Sequence, residues 1–152
     1  MEYLVRAARI TDVDRLVALS HESLRRSGGR GPLVAADLLR QLVYLPQASI
    51  IVAEEGRELI GGAVLALRPS VSAGGYVGTV DLLMVDPQHD VEGVTAALIE
   101  EVLRSARNKG CTVVEAARPE DSEECDRWSR QGFTVAEPLL QRPVAARAAA
   151  RR

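Results

Sequence analysis

The strongest constraint on the fold is an apolar segment that passes, within a few residues, into an amphipathic helix. Tyr76 to Val85 is rich in β-branched and other apolar residues and stops at Asp86-Pro87, which is typical of the end of a strand. Val91 to Asn108 then repeats apolar residues at helical spacing. The N-terminus of a helix that follows a strand exposes unpaired N–H groups. The junction from Leu82 to Gly93 therefore predicts an α/β domain and is the expected position of its functional site.

The remaining pattern places this junction in a mixed sheet. Strands are predicted over Tyr3 to Ala8, Ala48 to Glu54, Leu59 to Leu67, Thr112 to Ala116, and a short final pair at Phe133 to Val135 and Pro138 to Arg142. Helices are predicted from an N-cap at Thr11 or Asp12 to Arg26, from Ala35 to Leu45, and from Asp121 to Gln131. The order β-α-α-β-β-β-α-β-α-β, with or without one more strand, indicates the α/β (α+β) class, a mixed central sheet with helices on both faces.

The chain is predicted to form a single domain. A length of 152 residues is enough for one hydrophobic core. Gly61-Gly62 interrupts one strand and indicates a bulge, and Ser27 to Pro32 has the composition of a loop. The Ala/Arg-rich stretch at 144–152 is of low complexity and is predicted to fray. We therefore expect one domain over residues 1–143 and a flexible tail over residues 144–152.

Charge and composition exclude several classes of function. The formal net charge of -2 provides no global basic field for a nucleic acid or an anionic membrane. No apolar run approaches the ~20 residues that a membrane-spanning helix needs, and the N-terminus lacks the pattern of a signal peptide. Cys111, Cys125, His21 and His89 lack the spacing of metal ligands. We expect a cytoplasmic protein without nucleic-acid, membrane or metal partners.

Three segments, in the same order along the chain, resemble motifs of the GNAT superfamily of N-acetyltransferases. Leu83 to Leu98 resembles the acetyl-CoA-binding stretch, in which a strand ending in V-x-P is followed by [Q/R]-x-x-G-x-[G/A]. Trp128 to Phe133 is similar to the Y-E-K-x-G-F ending of the family's last helix. Val5 to Asp14 is similar to the family's opening I-R-x-A-x-x-x-D. The resemblance covers the chain from Tyr3 to about Arg142.

The resemblance implies where acetyl-CoA binds. The pantetheine arm is expected to pair with the backbone of Leu83, Met84 and Val85, and an N–H near Met84 to polarise the thioester carbonyl. The pyrophosphate is expected on the loop and first helical turn, at Asp90, Val91, Glu92, Gly93, Val94 and Thr95. Cofactor contacts on the last helix are expected from Asp121 and Trp128. Asp81 corresponds to a frequent position of the base that deprotonates the acceptor amine.

The chain departs from the family pattern at several of these positions. Asp90 stands where Gln or Arg is usual, and Glu92 adds a second negative charge where the ligand is polyanionic. The same carboxylates suit helix capping, because acidic side chains stabilise the first turn of a helix. Trp128 replaces the family's tyrosine, and since an indole cannot act as a general acid, a packing role is the other interpretation. Asp121 stands where asparagine is often found.

Two functions follow from this combination. The first is an acetyl-CoA-dependent N-acetyltransferase that acts on a small-molecule or peptide amine by direct attack on the thioester, with Asp81 as the base. The alternative is a catalytically degenerate GNAT-like module that binds a partner or another small ligand, with Asp81 a solvent-facing strand residue. The acidic loop and Trp128 favour this alternative. A homodimer formed through a sheet edge is compatible with either function.

Overall fold

The secondary structure follows the predicted order from the first strand to the last helix. The computed structural model describes residues 3–21, 24, 31–136, 140 and 142–143. Its strands are β1 (Leu4–Ala7), β2 (Ala48–Glu55), β3 (Glu58–Ser70), β4 (Gly75–Val85) and β5 (Cys111–Ala116). Within the described residues the α-helices are α1 (Val13–Leu19), α2 (Pro32–Leu42), α3 (Val91–Asn108) and α4 (Ser122–Arg130), and a 3₁₀ turn at Ile10–Asp12 precedes α1. None of these helices is both long and apolar enough to cross a bilayer.

The strands form one mixed sheet in the order β1-β2-β3-β4-β5. The first four strands pair antiparallel, whereas β4 pairs parallel with β5 because α3 returns the chain across one face of the sheet. The parallel pairing ends where Val80 lies opposite Ala116. β4 continues to Val85, still paired with β3 but no longer with β5. The two strands thus part, and we call the space beside residues 81–85 of β4 the β4–β5 opening.

Helices cover both faces of the sheet, as predicted. On the face under α3 and α4 the buried residues are Ile51, Ala53, Ile60, Ala63, Leu65, Val80, Val85, Val94, Leu98, Ile99, Val102, Ala106 and Trp128. On the face under α1 and α2 the buried residues are Val13, Leu16, Ala36, Leu39, Ile50 and Val64. β2 and β3 supply side chains to both faces, which is why their sequences are nearly continuous apolar runs.

A bulge in β4 sets the direction of its side chains beside the opening. The pairing with β3 shifts at this point, so Asp81 is an extra residue between Val80 and Leu82. Because of this extra residue, Val80 and Leu83 face the same cluster under α3 although they are three positions apart. Leu82 packs against the cluster under α1 and α2. The bulge therefore decides which side chains of β4 point to each face.

Two adjacent glycines let helices approach the sheet closely. The bulge predicted at Gly61-Gly62 lies one residue earlier, at Ile60, where the pairing of β2 with β3 shifts. A Cβ at Gly61 would lie 3.0 Å from the Val94 side chain of α3. A Cβ at Gly62 would overlap a δ-methyl group of Leu16 in α1. Each glycine thus permits one helix to pack tightly against its own face of the sheet.

We expect Gly62→Ala to destabilise the fold, because the new methyl group overlaps the fully buried Leu16 side chain. Overpacking of a core typically costs about 1–3 kcal/mol, which exceeds the about 0.5–1 kcal/mol that alanine gains over glycine within a strand. The free energy of unfolding in urea measures the net loss. In a Leu16→Val background, which lacks the δ-methyl groups, the substitution should cost less. An equal cost in both backgrounds would contradict this explanation.

Val5 to Asp14, the segment similar to the family's opening motif, contributes to an ion-pair network around the buried Asp12. Arg6 of β1 donates from its two terminal nitrogens to the two carboxylate oxygens of Asp12, at 2.7 and 3.1 Å. Asp12 is 1% exposed and also accepts from the Arg9 N–H and from Arg15, both at 2.7 Å. Arg6 has a second partner in Glu54 of β2, at 3.2 Å. The Arg6 guanidinium holds the pKa of the Asp12 carboxyl well below its usual range.

Several predicted boundaries need correction. α2 begins at Pro32, which suits the first turn of a helix because its missing N–H needs no partner, and ends at Leu42, earlier than predicted. Asp12 precedes α1, but its carboxylate accepts from the Arg9 N–H and does not cap α1. The predicted strand at Phe133 to Val135 is wrong, because these residues have no regular secondary structure.

Some predictions concern residues outside the described ranges. Most of the loop at Ser27 to Pro32 falls there, and so does Arg26, but the prediction that the first helix continues to Arg26 is wrong, because α1 ends at Leu19. Most of the final strand at Pro138 to Arg142 and the tail at 144–152 also fall outside. The predictions for this loop, the final strand and the tail remain expectations from the sequence.

Candidate functional site

The β4–β5 opening exposes one edge of the β4 backbone. From Asp81 to Val85 this edge has no partner in β5, whereas the other edge remains paired with β3. Leu83 and Met84 are half-buried and Val85 is buried, so apolar side chains flank the edge. Unpaired N–H and C=O groups on such an edge bind an extended chain in the way that another strand would. The residues predicted to bind pantetheine therefore lie together on this edge.

Asp81 lies on the bulge beside this edge. Its side chain is exposed, and within the described part of the chain no hydrogen bond or ion pair engages its carboxylate. Bulges redirect side chains and are common next to active sites. The carboxylate thus has no partner among the described residues. The alternation of apolar and polar residues breaks at Val80-Asp81-Leu82-Leu83. This break is the sequence signal of the bulge, which the family-like motif alone does not indicate.

Asp90 occupies the N-terminus of α3. Its Oδ1 accepts from the Gly93 N–H at 3.0 Å, and its backbone carbonyl accepts from the Val94 N–H at 2.9 Å. Its Oδ2 accepts from the Tyr3 hydroxyl at 3.1 Å, and partial burial together with this hydrogen bond raises the pKa of Tyr3. A Cβ at Gly93 would overlap the Asp90 carboxylate, so a larger residue there would displace this capping side chain. Two of the amides that the family resemblance assigns to phosphate thus bind the protein's own Asp90.

Glu92, the second acidic residue at this helix end, is paired with two arginines of α4. Arg130 donates from Nε and Nη2 to the two carboxylate oxygens at 2.8 and 2.9 Å, and Arg127 Nε lies 3.4 Å from Oε2. The Arg130 guanidinium holds the pKa of Glu92 below its usual range. Because these arginines balance the charge of Glu92, the N-terminus of α3 carries less net negative charge than the local sequence implies. The basic residues in the last turn of α4 are visible in the sequence, but no local pattern pairs them with Glu92.

The other residues predicted to bind phosphate differ in their accessibility. Val94 and Thr95 are 0% and 2% exposed, so any contact from them to a ligand would come from the backbone. Val91 packs partly buried against the cluster under α3. Within the described ranges, the N–H groups of Val91 and Glu92 donate to no protein acceptor. These two amides are the ones that the helix end leaves available to an anion.

Asp121 and Trp128, both predicted as cofactor contacts, have structural partners. Asp121 caps α4, because its Oδ2 accepts from the Glu124 N–H at 3.1 Å. Trp128 is 8% exposed and lies in the cluster under α3 and α4. Its ring meets Phe133 edge to face, with centroids 4.8 Å apart. The indole therefore packs α4 and the following segment against the sheet, as the packing interpretation proposed.

His89 lies among three carboxylates, although the sequence indicated no partner for it. Its Nδ1 is 3.3 Å from Glu55 Oε2, and its Nε2 is 3.7 Å from Glu58 Oε1 and 3.9 Å from Asp86 Oδ2. Glu58, Asp86 and His89 each place one atom that could bind a metal ion, a carboxylate oxygen or a ring nitrogen, within 4.8 Å of the other two. The cluster ties the turn between β2 and β3 to the loop that leads from β4 into α3.

Solved structures share this fold over nearly the whole chain. An integron cassette protein from the mobile metagenome of Cole Harbour Salt Marsh is 29% identical, with a TM-score of 0.78 over 93% of this chain and 90% of its own. AAC(6')-Iy, in complex with the bisubstrate analogue CoA-S-monomethyl-acetylneamine, is 19% identical, with a TM-score of 0.80 over 96% and 100%. An aminoglycoside acetyltransferase from an uncultured soil metagenomic sample, in complex with sisomicin, is 15% identical, with a TM-score of 0.76 over 95% and 97%. At such low identity the last two likenesses show the fold alone.

The sequence match extends across the site as well as the fold. No curated protein matches the chain. The model of the acetyltransferase (GNAT) family, however, matches residues 13–133, which include the β4–β5 opening, the N-terminus of α3 and all of α4. Since this match spans most of the chain, the chain belongs to the acetyltransferase (GNAT) family.

Proposed function

We propose that the protein transfers an acetyl group from acetyl-CoA to the nitrogen of a small-molecule or peptide amine. The observation that carries the proposal is the edge of β4 that β5 leaves unpaired, with the carboxylate of Asp81, which no described residue engages, beside it. Family membership supports the reaction class. Structures of this fold that hold sisomicin or a CoA-linked acetylneamine support a small-molecule amine as the acceptor. Because a fold alone does not define a reaction, the assignment depends on the residues at the opening.

Acetyl-CoA fits the strand half of the junction. A pantetheine arm carries amide groups, which would pair with the free backbone edge at Leu83, Met84 and Val85 as an added strand does. At the helix half the fit is narrower, because Asp90 holds the Gly93 N–H. The phosphates therefore depend on the two available amides and on positive charge supplied from another element.

Acetyl-CoA, when bound, supplies an acetyl group activated as a thioester. In the proposed reaction the amine nitrogen bonds to the acetyl carbon while the C–S bond breaks and the thiolate leaves. Asp81 accepts the proton that the amine loses. A backbone N–H near Met84 donates to the carbonyl oxygen, where negative charge develops.

Trp128 supplies no proton to the leaving thiolate, because an indole N–H is not an acid at neutral pH. Loss of a positioned general acid typically costs about 10²–10⁴-fold in rate. The cost is smaller here, since a thiolate whose conjugate thiol has a pKa of about 8.5 leaves readily without one. We therefore expect turnover in which solvent returns the proton to the thiolate.

Isothermal titration with CoA tests the donor. We expect saturable binding of one CoA per chain, with a Kd in the millimolar range or tighter. ATP carries phosphates but no pantetheine arm, so it serves as the control and should bind more weakly. Absence of measurable binding at millimolar CoA would exclude acetyl-CoA as the donor. Release of free thiol from acetyl-CoA, measured across a panel of amines, then identifies the acceptor.

A second candidate function is a GNAT-like module that binds a partner or another ligand without turnover. The Asp90 cap and the buried Trp128 favour it, because they replace a phosphate contact and a general acid. Thiol release that depends on the added amine would exclude this candidate, whereas CoA binding without release across the panel would favour it. A homodimer stays a prediction, which light scattering tests.

A further inference from the structure

A carboxylate of the protein occupies two arginines at the place where the cofactor phosphates are expected. Glu92 is the second residue of α3, and Arg130 is the last residue of α4. Their two-pronged contact joins the helix that follows β4 to the helix that follows β5. The contact thus connects the two helices that flank the β4–β5 opening.

The geometry of this contact is one that guanidinium groups also use for phosphate. Parallel donors on Nε and Nη2, at 2.8 and 2.9 Å, match two oxygens of either a carboxylate or a phosphate. Arg127 adds a second guanidinium, whose buried Nε lies 3.4 Å from Glu92 and makes no hydrogen bond within the described residues. A buried donor without a hydrogen bond costs free energy. An acceptor that approaches the Arg127 Nε more closely than Glu92 does would therefore be favourable.

A phosphate can displace the Glu92 carboxylate from the two arginines at a small cost in free energy. The Glu92 and Arg130 side chains are 47% and 54% exposed, so water and salt screen their attraction. A pyrophosphate carries more negative charge and more acceptor oxygens than one carboxylate. After release from Arg130, Glu92 remains in the first turn of α3, where the helix dipole favours a negative charge.

We infer that Arg127 and Arg130 bind the pyrophosphate of CoA, and that Glu92 is the internal competitor that holds them when the cofactor is absent. The inference rests on the proposed use of acetyl-CoA. It assigns to α4 the positive charge that the acidic loop before α3 does not supply. Glu92 then acts as a specificity-determining residue, because a ligand with a single weak anionic group displaces it less well than a pyrophosphate does.

Titration calorimetry of CoA against the full-length protein and its variants tests this inference. We expect Glu92→Gln to lower the Kd about two- to fivefold, because the competitor loses its charge but keeps its size. Arg130→Gln should raise the Kd about tenfold or more, because it removes charge-assisted hydrogen bonds to phosphate. Glu101→Gln is the matched control: it changes net charge equally, and Glu101 pairs with Arg104 at 2.6 Å farther along the same helix. Circular dichroism checks that each variant is folded.

The outcomes separate this inference from the proposed function. If Glu92→Gln leaves the Kd for CoA unchanged, or if Glu101→Gln lowers it equally, the role of Glu92 is overturned. The proposed function then remains intact. CoA binding that Arg127→Gln and Arg130→Gln do not weaken overturns the role of the arginines. Failure of the wild type and of every variant to bind CoA overturns both proposals.

Discussion

Replacement of Asp81 by asparagine is expected to lower kcat for amine acetylation by about 10²–10⁴-fold, which is typical for the loss of a positioned base. Asparagine keeps the size of the side chain, but its amide cannot accept the proton. Asp81 is exposed on the bulge of β4 and engages no other described side chain, so the fold should tolerate the change. The Kd for CoA should therefore stay the same while kcat falls.

The matched control for this variant is Glu115→Gln. Glu115 is an exposed carboxylate on the neighbouring strand β5, where it pairs with Arg68 at 3.5 Å and lies opposite Thr79, before the strands part. We expect it to keep wild-type activity. Retention of wild-type kcat by Asp81→Asn would remove this residue from the mechanism.

Replacement of Asp12 by asparagine is expected to lower the free energy of unfolding at pH 7 by about 3 kcal/mol, the lower end of the range for breaking a buried ion pair. The Asp12 side chain is 1% exposed, so the substitution leaves the Arg6 charge without its closest partner. Arg6 keeps Glu54 at 3.2 Å and is itself 15% exposed, and both facts place the loss at the lower end.

The stabilisation by Asp12 should depend on pH in one direction. Because Arg6 lowers the folded-state pKa of Asp12, the unfolded chain binds the proton more readily than the folded one. The contribution of Asp12 is fully present above its unfolded pKa of about 3.9 and is lost as the pH falls toward the folded pKa. By pH 3 the wild type should have lost about 1 kcal/mol through Asp12 alone.

Urea denaturation at pH 7 and pH 3 measures both effects. The difference in unfolding free energy between the wild type and Asp12→Asn should narrow at pH 3, since only the wild type loses this contribution. Asp14→Asn is the control, because Asp14 pairs with Arg40 at 2.7 Å but is 82% exposed. A change within about 0.5 kcal/mol is expected there. An equal difference at both pH values for Asp12→Asn would contradict the buried pair.

Local patterns predicted the elements that border the site. The bounds of α3 at Val91–Asn108 match the helical periodicity, and its capping residue Asp90 was visible as an acidic residue before the first turn. The end of β4 at Val85 followed from Asp86-Pro87. These signals are reliable because the forces behind them act between residues only a few positions apart.

Contacts between segments that are distant in sequence could not be predicted from local patterns. Glu92 and Arg130 are 38 residues apart in sequence, and no local pattern pairs them. The cluster around His89 likewise joins the turn between β2 and β3 to the loop before α3. The segment from Phe133 to Val135 was wrongly predicted to be a strand: Phe133 packs against Trp128 and the cluster under α3 and α4, whereas Val135 is exposed.

The sequence by itself determined the order of elements, the family and the junction at which the function was expected. The tertiary structure alone decided how the acidic residues of that junction are used. Asp90 caps α3, whereas Glu92 pairs with the arginines of α4. Helix periods and caps arise from neighbours along the chain, but the partner of a charge depends on which helix the packing of the sheet brings beside it.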